Sequence, residues 1–262
     1  MFLTIDWDVN PIILQLGSFE LRWYSLCFAA GFIIGYQIMK RMFKREGIPM
    51  EWLESLLMYL VLGTIVGARL GHCIFYEWDY YSHHILEMLL PIQRGLASHG
   101  GAIAILILLW IFARRVAHKP YLWILDRVAV PVALAGFFIR LGNLMNSEIL
   151  GRPTDASWGF IFRAVDDISR HPAQLYESLS YLCIFFFLSY LYWKKNAGDH
   201  LGRLFGWWLV LLWGARFTVE FFKRHQGGLE DFIGQAITTG QLLSLPFIAM
   251  GLFLLIRSYR KL

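Results

Sequence analysis

The stretch LESLLMYLVLGTIVGARLGHCIFY, residues 53–76, decides the class of fold. A helix needs roughly 20 apolar residues to cross the hydrocarbon core of a bilayer. In lipid the backbone has to satisfy its own hydrogen bonds, so such a stretch is predicted to be helical. Six further apolar segments lie at residues 19–39, 96–113, 121–139, 176–193, 204–222 and 241–256. The sequence therefore predicts an all-α polytopic membrane protein, a single integral membrane domain over residues 1–262 with about seven transmembrane helices.

The composition favours a membrane protein over a soluble helical enzyme. Hydrophobic residues make up 57% of the 262 residues and charged residues only 16%, whereas soluble domains carry roughly 25% charged residues. The net charge of +5 is clustered in short segments between apolar runs, which is how membrane orientation is encoded. We therefore expect no nucleic-acid partner. The three cysteines lie in apolar stretches and indicate no redox role.

The basic residues of the loops predict the orientation. Lysine and arginine clusters follow the first, third, fifth and seventh segments, which places these loops in the cytoplasm by the positive-inside rule. The N-terminus is then outside, the C-terminus cytoplasmic and residues 140–175 outside. The acidic N-terminus lacks the basic region of a cleavable signal peptide, so the first span should remain as an anchor. Four arginines in the outer segment oppose the rule and suggest an anionic partner: Arg140, Arg152, Arg163 and Arg170.

The densest polar motif is Arg140-Leu-Gly-Asn-Leu-Met-Asn-Ser-Glu-Ile-Leu-Gly-Arg152, just beyond the fourth segment. Arginine presents a planar fork of donors that matches phosphate. Asn143 and Asn146 could donate to ester or glycerol oxygens, and Glu148 could hold the arginine or accept a proton. Two alternatives stay open on the residues alone. The motif could be a capped helix end, and the outer arginines could pair with nearby carboxylates, namely Asp155, Asp166, Asp167 and Glu177.

Two further motifs contain side chains that could take part in catalysis or binding. Ser98-His-Gly-Gly101 opens the third segment and combines a histidine, whose proton equilibrium lies near neutral pH, with glycines that permit close approach. In Arg216-Phe-Thr-Val-Glu220 the i,i+4 spacing puts two charges on one helix face. Charges in a span usually face the bundle interior or an aqueous cavity. A purely structural ion pair is the alternative for this second motif.

The glycine stripe Gly63-x-x-x-Gly67-x-x-x-Gly71 predicts close packing of the second span against another helix. The role of the adjacent Arg69 stays open. Arg22-Trp-Tyr24 opens the first span, where an interfacial aromatic anchor is the alternative to a binding role.

Together these motifs resemble the prolipoprotein diacylglyceryl transferase family. The long signature Arg140-x-Gly-Asn-x-x-Asn-x-Glu-x-x-Gly151 is the most specific of them. A tyrosine that is common four residues before the span-six arginine of the family is Leu212 here, and a Trp-acidic-Gly-Gly stretch is replaced by Ile92-Gln-Arg-Gly95. The other matching islands appear in family order over nearly the whole chain: Arg22-Trp-Tyr24, Gly67-Ala-Arg-Leu-Gly71, Ser98-His-Gly-Gly101, Arg170-His-Pro-Ala-Gln-Leu-Tyr-Glu177, Arg216-Phe-Thr-Val-Glu-Phe221 and Gly240-Gln-Leu-Leu-Ser-Leu-Pro246.

The resemblance implies a transferase of the bacterial plasma (inner) membrane with its active site toward the outer face. The implied donor is phosphatidylglycerol, and the implied acceptor is the lipobox cysteine in the signal peptide of a prolipoprotein. The products would be a thioether-linked diacylglyceryl lipoprotein and glycerol phosphate, which is the first step of bacterial lipoprotein maturation. Membrane lipids are the remaining expected partners, and no metal or cofactor is expected.

The chemistry of this reaction suggests a role for each candidate residue. The thiolate is the nucleophile, and fixed arginines can stabilise the charge that grows on the leaving phosphate. We assign Arg140 and Arg216 to the phosphate and His99 to the general base. Glu148 and Glu220 are expected to orient the arginines. The substrate-binding candidates besides Arg140 are Tyr24, Gly100, Gly101, Gly142, Asn143, Asn146 and Gly151.

Other classes of membrane protein also place arginines in a cavity. A lipid or solute transporter should show two related halves, and we find none in this sequence. An intramembrane protease should show a motif such as HExxH or Gly-x-Ser-x-Gly, and neither occurs. A membrane phosphatase or an alcohol phosphatidyltransferase stays open on residue types alone.

Overall fold

The computed structural model describes residues 4–17, 19–89, 95–224 and 237–260, and most of these residues are helical. Short 3₁₀ helices at Ile85–Leu89 and Ala197–Asp199 supplement the α-helices. The α-helices are α1 (Trp23–Arg45), α2 (Met50–Phe75), α3 (Trp78–Tyr81), α4 (Ser98–Arg115), α5 (Tyr121–Met145), α6 (Ala173–Lys195), α7 (Arg203–Glu220) and α8 (Thr239–Arg260).

Six of these helices are long and apolar enough to cross a membrane, namely α1, α2, α4, α5, α6 and α8. Helix α7 is less apolar because its 18 residues include Arg203, Arg216 and Glu220. The prediction of an all-α polytopic membrane protein is confirmed, and the predicted count of seven spans is approximate.

The first and fourth predicted segments differ most from the observed helices, and α1 runs to Arg45 where the predicted segment ends at residue 39. Residues 19–22, predicted to begin the first span, form a strand, and α1 begins at Trp23. Helix α5 continues to Met145, beyond the predicted end at residue 139. Arg140 and Asn143, which the sequence places just beyond the fourth segment, therefore lie within α5. The reason is that these polar side chains bind one another and a carboxylate on α6, so the helix can carry them.

The described chain forms two compact units, of which the smaller comprises residues 39–125. Within this unit, α2 packs against α4 through the predicted glycine stripe. A Cβ atom at Gly67 would lie 2.8 Å from the carbonyl oxygen of Gly100, and one at Gly71 would lie 2.6 Å from the Cα of Gly100. Any larger side chain at these positions would force the two helices apart. The stripe therefore serves helix packing, as predicted.

Arg69 has a structural role in the same unit. Its buried guanidinium donates through Nε to the carbonyl of Met88 at 3.3 Å and through Nη2 to the hydroxyl of Tyr81 at 2.9 Å. The guanidinium carbon also lies 5.1 Å from the centroid of the Tyr81 ring. Arg69 thus ties the segment that follows α2 back onto that helix.

The larger unit comprises residues 1–38 and 126–262, of which the described part carries α6, α7 and α8. Asp126, near the start of α5, accepts hydrogen bonds from the backbone N–H of Gly202 at 2.6 Å and of Phe205 at 2.8 Å. It therefore satisfies donors that a helix leaves unpaired at its N-terminus. Helices α7 and α8 approach closely at Gly206, where a Cβ atom would lie 3.1 Å from the carbonyl oxygen of Gly251.

Five short strands, which the sequence analysis did not predict, accompany the larger unit. The strands form a hairpin and a three-stranded sheet, in which β1 runs parallel to β4 and β4 runs antiparallel to β5. Gly151 forms an additional bridge with Lys223. The strands are β1 (Ile5–Trp7), β2 (Ile12–Leu16), β3 (Phe19–Arg22), β4 (Phe160–Phe162) and β5 (Ser169–Arg170).

Candidate active site

A chain of side-chain hydrogen bonds follows the C-terminal end of α5. Nη1 of Arg140 donates to Oδ1 of Asn143 at 3.1 Å. Nδ2 of Asn143 donates to one oxygen of Glu148 at 3.2 Å, and Nδ2 of Asn146 donates to the other at 3.2 Å. Both amide groups that we expect to bind lipid oxygens thus have a protein acceptor in this structure. A carboxylate only accepts hydrogen bonds, so Glu148 turns both amide groups toward itself.

The turn that carries Glu148 has unusual backbone geometry. Ser147 and Ile149 adopt φ angles of 52° and 57°, which are rare for residues other than glycine and especially for a β-branched residue. Gln174, a fully buried residue of α6, donates through Nε2 to the carbonyl oxygen of Glu148. Such a conformation persists only when surrounding contacts hold it. Gln174 therefore fixes the backbone from which the Glu148 carboxylate projects.

Four charged side chains form a second network that links α5, α6 and α7. Nε of Arg140 lies 2.7 Å from Oε2 of Glu177, whose side chain is 0% exposed. The other Glu177 oxygen accepts a hydrogen bond from Nζ of Lys223 at 2.8 Å. Nζ of Lys223 also lies 3.3 Å from Oε2 of Glu220. The Glu177 carboxylate is therefore shared by two cations, and the carboxylate pairing that we kept open for Arg140 is present.

Arg216 and Glu220 do not form the ion pair that their spacing allowed. No ion pair joins them in the described part of the chain, and the described partner of Glu220 is Lys223. The guanidinium carbon of Arg216 lies 5.7 Å from the centroid of the Trp213 ring, and its buried Nε has no hydrogen-bond partner among the described residues. Glu220 instead packs against Gly240, where a Cβ atom would lie 2.5 Å from the carboxyl carbon of Glu220.

Two glycines of the long motif allow close packing around the first network. A Cβ atom at Gly142 would lie 2.9 Å from Cδ2 of Tyr24, so this glycine admits the tyrosine of α1. Tyr24 is close enough to Arg140 and Glu148 to interact with both electrostatically. A Cβ atom at Gly151 would lie 2.2 Å from the carbonyl oxygen of His171. Both glycines therefore shape the protein around the polar residues.

The three other arginines that we singled out within residues 140–175 bind protein groups. Arg163 donates to Asp6 and Asp167, and Arg170 donates to Asp166. The hydrogen bonds from Arg163 hold the pKa of Asp6 below its ordinary value, and those from Arg170 do the same for the pKa of Asp166. Nε of Arg152 donates to the carbonyl of Lys223 at 2.9 Å. These three arginines organise the segment that follows α5.

His99 lies in the smaller unit, beside a cavity of about 380 Å³. Its Nε2 and the hydroxyl of Tyr76 are 3.3 Å apart and form a hydrogen bond whose direction depends on the histidine tautomer. Gly100 packs against α2, as described above, and a Cβ atom at Gly101 would lie 3.5 Å from the carbonyl oxygen of Thr64. The cavity is lined by His72, Tyr76, Gly95, Leu96, Ala97, Ser98 and His99.

The family described as prolipoprotein diacylglyceryl transferase matches residues 11–257. The chain belongs to this family. A phosphatidylglycerol–prolipoprotein diacylglyceryl transferase from Tolumonas auensis is 46% identical over 255 residues, which cover 97% of this chain and 98% of the relative. Proteins of the same name from Chloroherpeton thalassium and Porphyromonas gingivalis are 43% and 42% identical, and each alignment covers 98% of this chain and 95% of the relative.

The family resemblance predicted from the sequence motifs is confirmed, as is the expectation of an enzyme of the transferase class. Six apolar helices and the family together indicate a multi-pass bacterial membrane protein. Residues 92–94, where the sequence departs from the family pattern, lie outside the described residues.

Three residues of this diacylglyceryl transferase family member have contacts that the sequence analysis did not foresee. Gln174 lies within a recognised motif, but nothing in that motif indicated that it reaches the backbone of Glu148. Lys223 belongs to none of the motifs described above, and the structure places its Nζ atom between the carboxylates of Glu177 and Glu220. Tyr76 was simply the last residue of a predicted span, and it contacts His99.

Proposed function

We propose that the protein transfers the diacylglyceryl group of phosphatidylglycerol to the lipobox cysteine of a prolipoprotein. The cysteine sulfur attacks the glyceryl carbon that bears the phosphate ester, and a carbon–sulfur bond forms as the carbon–oxygen bond breaks. The electron pair of that bond leaves with the phosphate oxygen, so the second product is glycerol phosphate. The family match over residues 11–257, with relatives that carry this activity in their names, is the observation that supports the proposal most strongly.

Among the candidate site residues, Arg216 is the cation for which we expect an anionic ligand. It lies partly buried in a helix of the larger unit, and in the described part of the chain it contacts Trp213 but no carboxylate. An uncompensated charge in such a place is costly. A phosphate group would supply the missing counter-charge, and the buried Nε atom of Arg216 is a donor in need of an acceptor. We therefore assign the lipid phosphate to Arg216.

Arg140 would assist at the same phosphate as a preorganised donor. Glu177 binds its Nε and Asn143 binds its Nη1, so the guanidinium is held in place before lipid arrives. Fixed donors stabilise developing charge without reorganising during the reaction. In this proposal Glu148, Asn143 and Asn146 maintain the Arg140 geometry, Glu220 holds Lys223, and Tyr24 with Gly142 and Gly151 shapes the head-group site.

His99 is the proposed general base, with Gly100 and Gly101 beside it. Its side chain is exposed at the rim of a cavity, where an incoming thiol can reach it. A positioned base typically contributes on the order of 10²–10⁴-fold to the rate.

The orientation with the N-terminus outside, the C-terminus in the cytoplasm and the site toward the outer face belongs to the same proposal. The alternating basic loops support it. A reporter fused after Leu262 should be active in the cytoplasm, and activity confined to the outside would reject this orientation.

The test of function is a mass measurement on a synthetic lipobox peptide incubated with purified protein and phosphatidylglycerol in detergent micelles. The expected product is heavier by one diacylglyceryl group. Mild base should remove its two ester-linked acyl chains but leave the glyceryl group on the peptide, because that group is held by a thioether. A peptide with serine in place of the cysteine is the control and should stay unmodified. Release of diacylglycerol and glycerol phosphate without peptide modification would instead indicate hydrolysis of the phosphodiester, and transfer of a phosphatidyl group to an alcohol would indicate a phosphatidyltransferase.

A further inference from the structure

The rings around His99 pack against one another in the smaller unit. The Tyr76 ring lies between two histidines, with its centroid 5.8 Å from that of His72 and 5.7 Å from that of His99. The Phe75 ring meets His99 edge-on at 5.8 Å. Tyr76 itself caps α2, because its backbone N–H donates to the carbonyl of His72 at 3.0 Å. The tyrosine is therefore held by its backbone and its ring while its hydroxyl reaches His99.

His72 supports Tyr76 from the other side. Nε2 of His72 lies 3.3 Å from a carboxylate oxygen of Glu77. A Cβ atom at Gly95 would lie 2.1 Å from the same nitrogen, so the backbone at Gly95 closes over the imidazole. The planes of His72 and Tyr76 are 19° apart. Glu77 contacts the His72 ring, and the His72 ring stacks on Tyr76. These contacts limit the positions that the Tyr76 hydroxyl can take.

Only one tautomer of His99 makes it a base in this setting. If the Tyr76 hydroxyl donates to Nε2, the neutral ring carries its proton on Nδ1 and has no lone pair left for a thiol. If Nε2–H donates to the Tyr76 oxygen, the lone pair of Nδ1 is available. The hydrogen bond made by one ring nitrogen sets the chemistry of the other.

We infer that Tyr76 is a positioning residue for the transfer reaction, holding His99 with its proton on Nε2 so that Nδ1 accepts the thiol proton. The inference rests on the proposed function of His99. The thiol proton moves to Nδ1, the thiolate sulfur attacks the glyceryl carbon, and the glycerol phosphate leaves with the electron pair of the broken carbon–oxygen bond. The imidazolium then returns the proton to solvent. The Tyr76 oxygen accepts a hydrogen bond from Nε2–H throughout and stabilises the imidazolium.

The experiment compares two acceptors, a lipobox peptide with cysteine and the same peptide with selenocysteine. A selenol is more acidic than a thiol and is ionised near neutral pH, so it needs no base. Tyr76→Phe should lower kcat with the cysteine peptide roughly fivefold to tenfold, the contribution of one hydrogen bond, and leave KM for phosphatidylglycerol unchanged. With the selenocysteine peptide Tyr76→Phe should match wild type. Tyr80→Phe, which removes a hydroxyl that donates to Glu87 in the same segment, is the matched control and should match wild type with both peptides.

Each result separates this inference from the proposed function. Equal rates for Tyr76→Phe and wild type with cysteine overturn the inference, and so does a deficit of equal size with both acceptors, which indicates a structural role. If His99→Gln is as active as wild type, the base assignment fails and the inference with it, although transferase activity stands. If wild type modifies neither peptide, the proposed function fails.

A second measurement tests the tautomer of His99 directly, in case the Tyr76→Phe protein does not accumulate in the membrane. Nitrogen NMR of [¹⁵N]histidine-labelled wild type, with His99 identified by its absence from His99→Gln, reports which ring nitrogen carries the proton. Protonated Nε2 is expected, and protonated Nδ1 overturns the inference.

Discussion

The two ends of α5 carry charged side chains whose partners are of different kinds. Near its start, Asp126 binds backbone N–H groups of Gly202 and Phe205. About 20 Å further along the helix, Arg140 binds the side chains of Asn143 and Glu177. Backbone partners cannot leave Asp126 unless α7 unwinds, whereas the side chains around Arg140 can exchange partners with a ligand. We therefore expect changes at the first end to affect stability, whereas the second end is the one to which the proposed function assigns the phosphate.

Arg140→Lys should have the largest effect. Lysine keeps the charge but cannot reproduce the planar fork of donors. The variant should insert and accumulate normally while transfer from phosphatidylglycerol falls roughly 10²–10³-fold, by analogy with deletion of an oxyanion donor. The measurement is transfer per folded enzyme in detergent. Arg127→Lys, near the other end of α5, is the control and should stay within about threefold of wild type, since Arg127 binds the carbonyl of Gly198. Near wild-type activity for Arg140→Lys would remove Arg140 from the site.

A double-mutant cycle on Glu177→Gln and Lys223→Met tests whether the charges at the second end act as one network. Residues in one ion-pair network couple by about 0.5–3 kcal/mol, so the loss in the double variant should be clearly smaller than the sum of the single losses. Both the free energy of unfolding and kcat should show this coupling. The control combines either variant with Asp126→Asn. The losses should then be additive, because Asp126 shares no described contact with Glu177 or Lys223. Additive losses for Glu177 and Lys223 would show that the shared carboxylate is not a functional unit.

Asp126→Ala should affect stability alone. Two backbone donors of α7 would lose their acceptor, and a lost cap or an unsatisfied buried donor costs about 1–2 kcal/mol. The midpoint of thermal unfolding should fall, while kcat per folded enzyme should stay near the wild-type value. A variant of normal stability with low kcat would contradict the division between the two ends of α5.

The smallest effect is expected at the exposed pair of Asp6 and Arg163. Because Arg163 lowers the pKa of Asp6, the contribution of this carboxylate to stability is present above its unfolded pKa of about 3.9. It is lost as the pH falls through the lower, folded-state pKa. Asp6→Asn should therefore lower the unfolding midpoint slightly at pH 7, and the difference from wild type should disappear in acid. Asp8→Asn is the matched control. A difference that grows in acid would reverse the assignment.

The sequence predicted those features that depend on residue spacing within one segment. Hydrophobic runs predicted the helices, and the glycine stripe on α2 predicted its close packing because both depend on spacing within one segment. The partners of individual charges were harder to predict. Glu220 has Arg216 at an ideal helical spacing, yet it contacts Lys223, whose ammonium group is also bound by Glu177 of another helix.

The same limit applies to groups that meet across distant segments. Nothing in a single sequence indicates that Gln174 reaches the carbonyl of Glu148, since that contact depends on how α5 and α6 pack. The short strand β1 pairs with β4, more than half the chain away, and three residues carry too weak a pattern to be recognised as a strand.

The shared carboxylate of Glu177 also sets an order of events during biosynthesis. The ribosome delivers Arg140 first, Glu177 second and Lys223 last, so each charge enters the bilayer before its later partner exists. Until α6 is inserted, Arg140 has to keep its head group at the water interface, as long basic side chains do. Glu177 in turn gains its second cation only when residue 223 arrives. A chain that stalls after α6 can thus pair Glu177 with Arg140 alone, and one oxygen of the carboxylate still lacks its lysine partner.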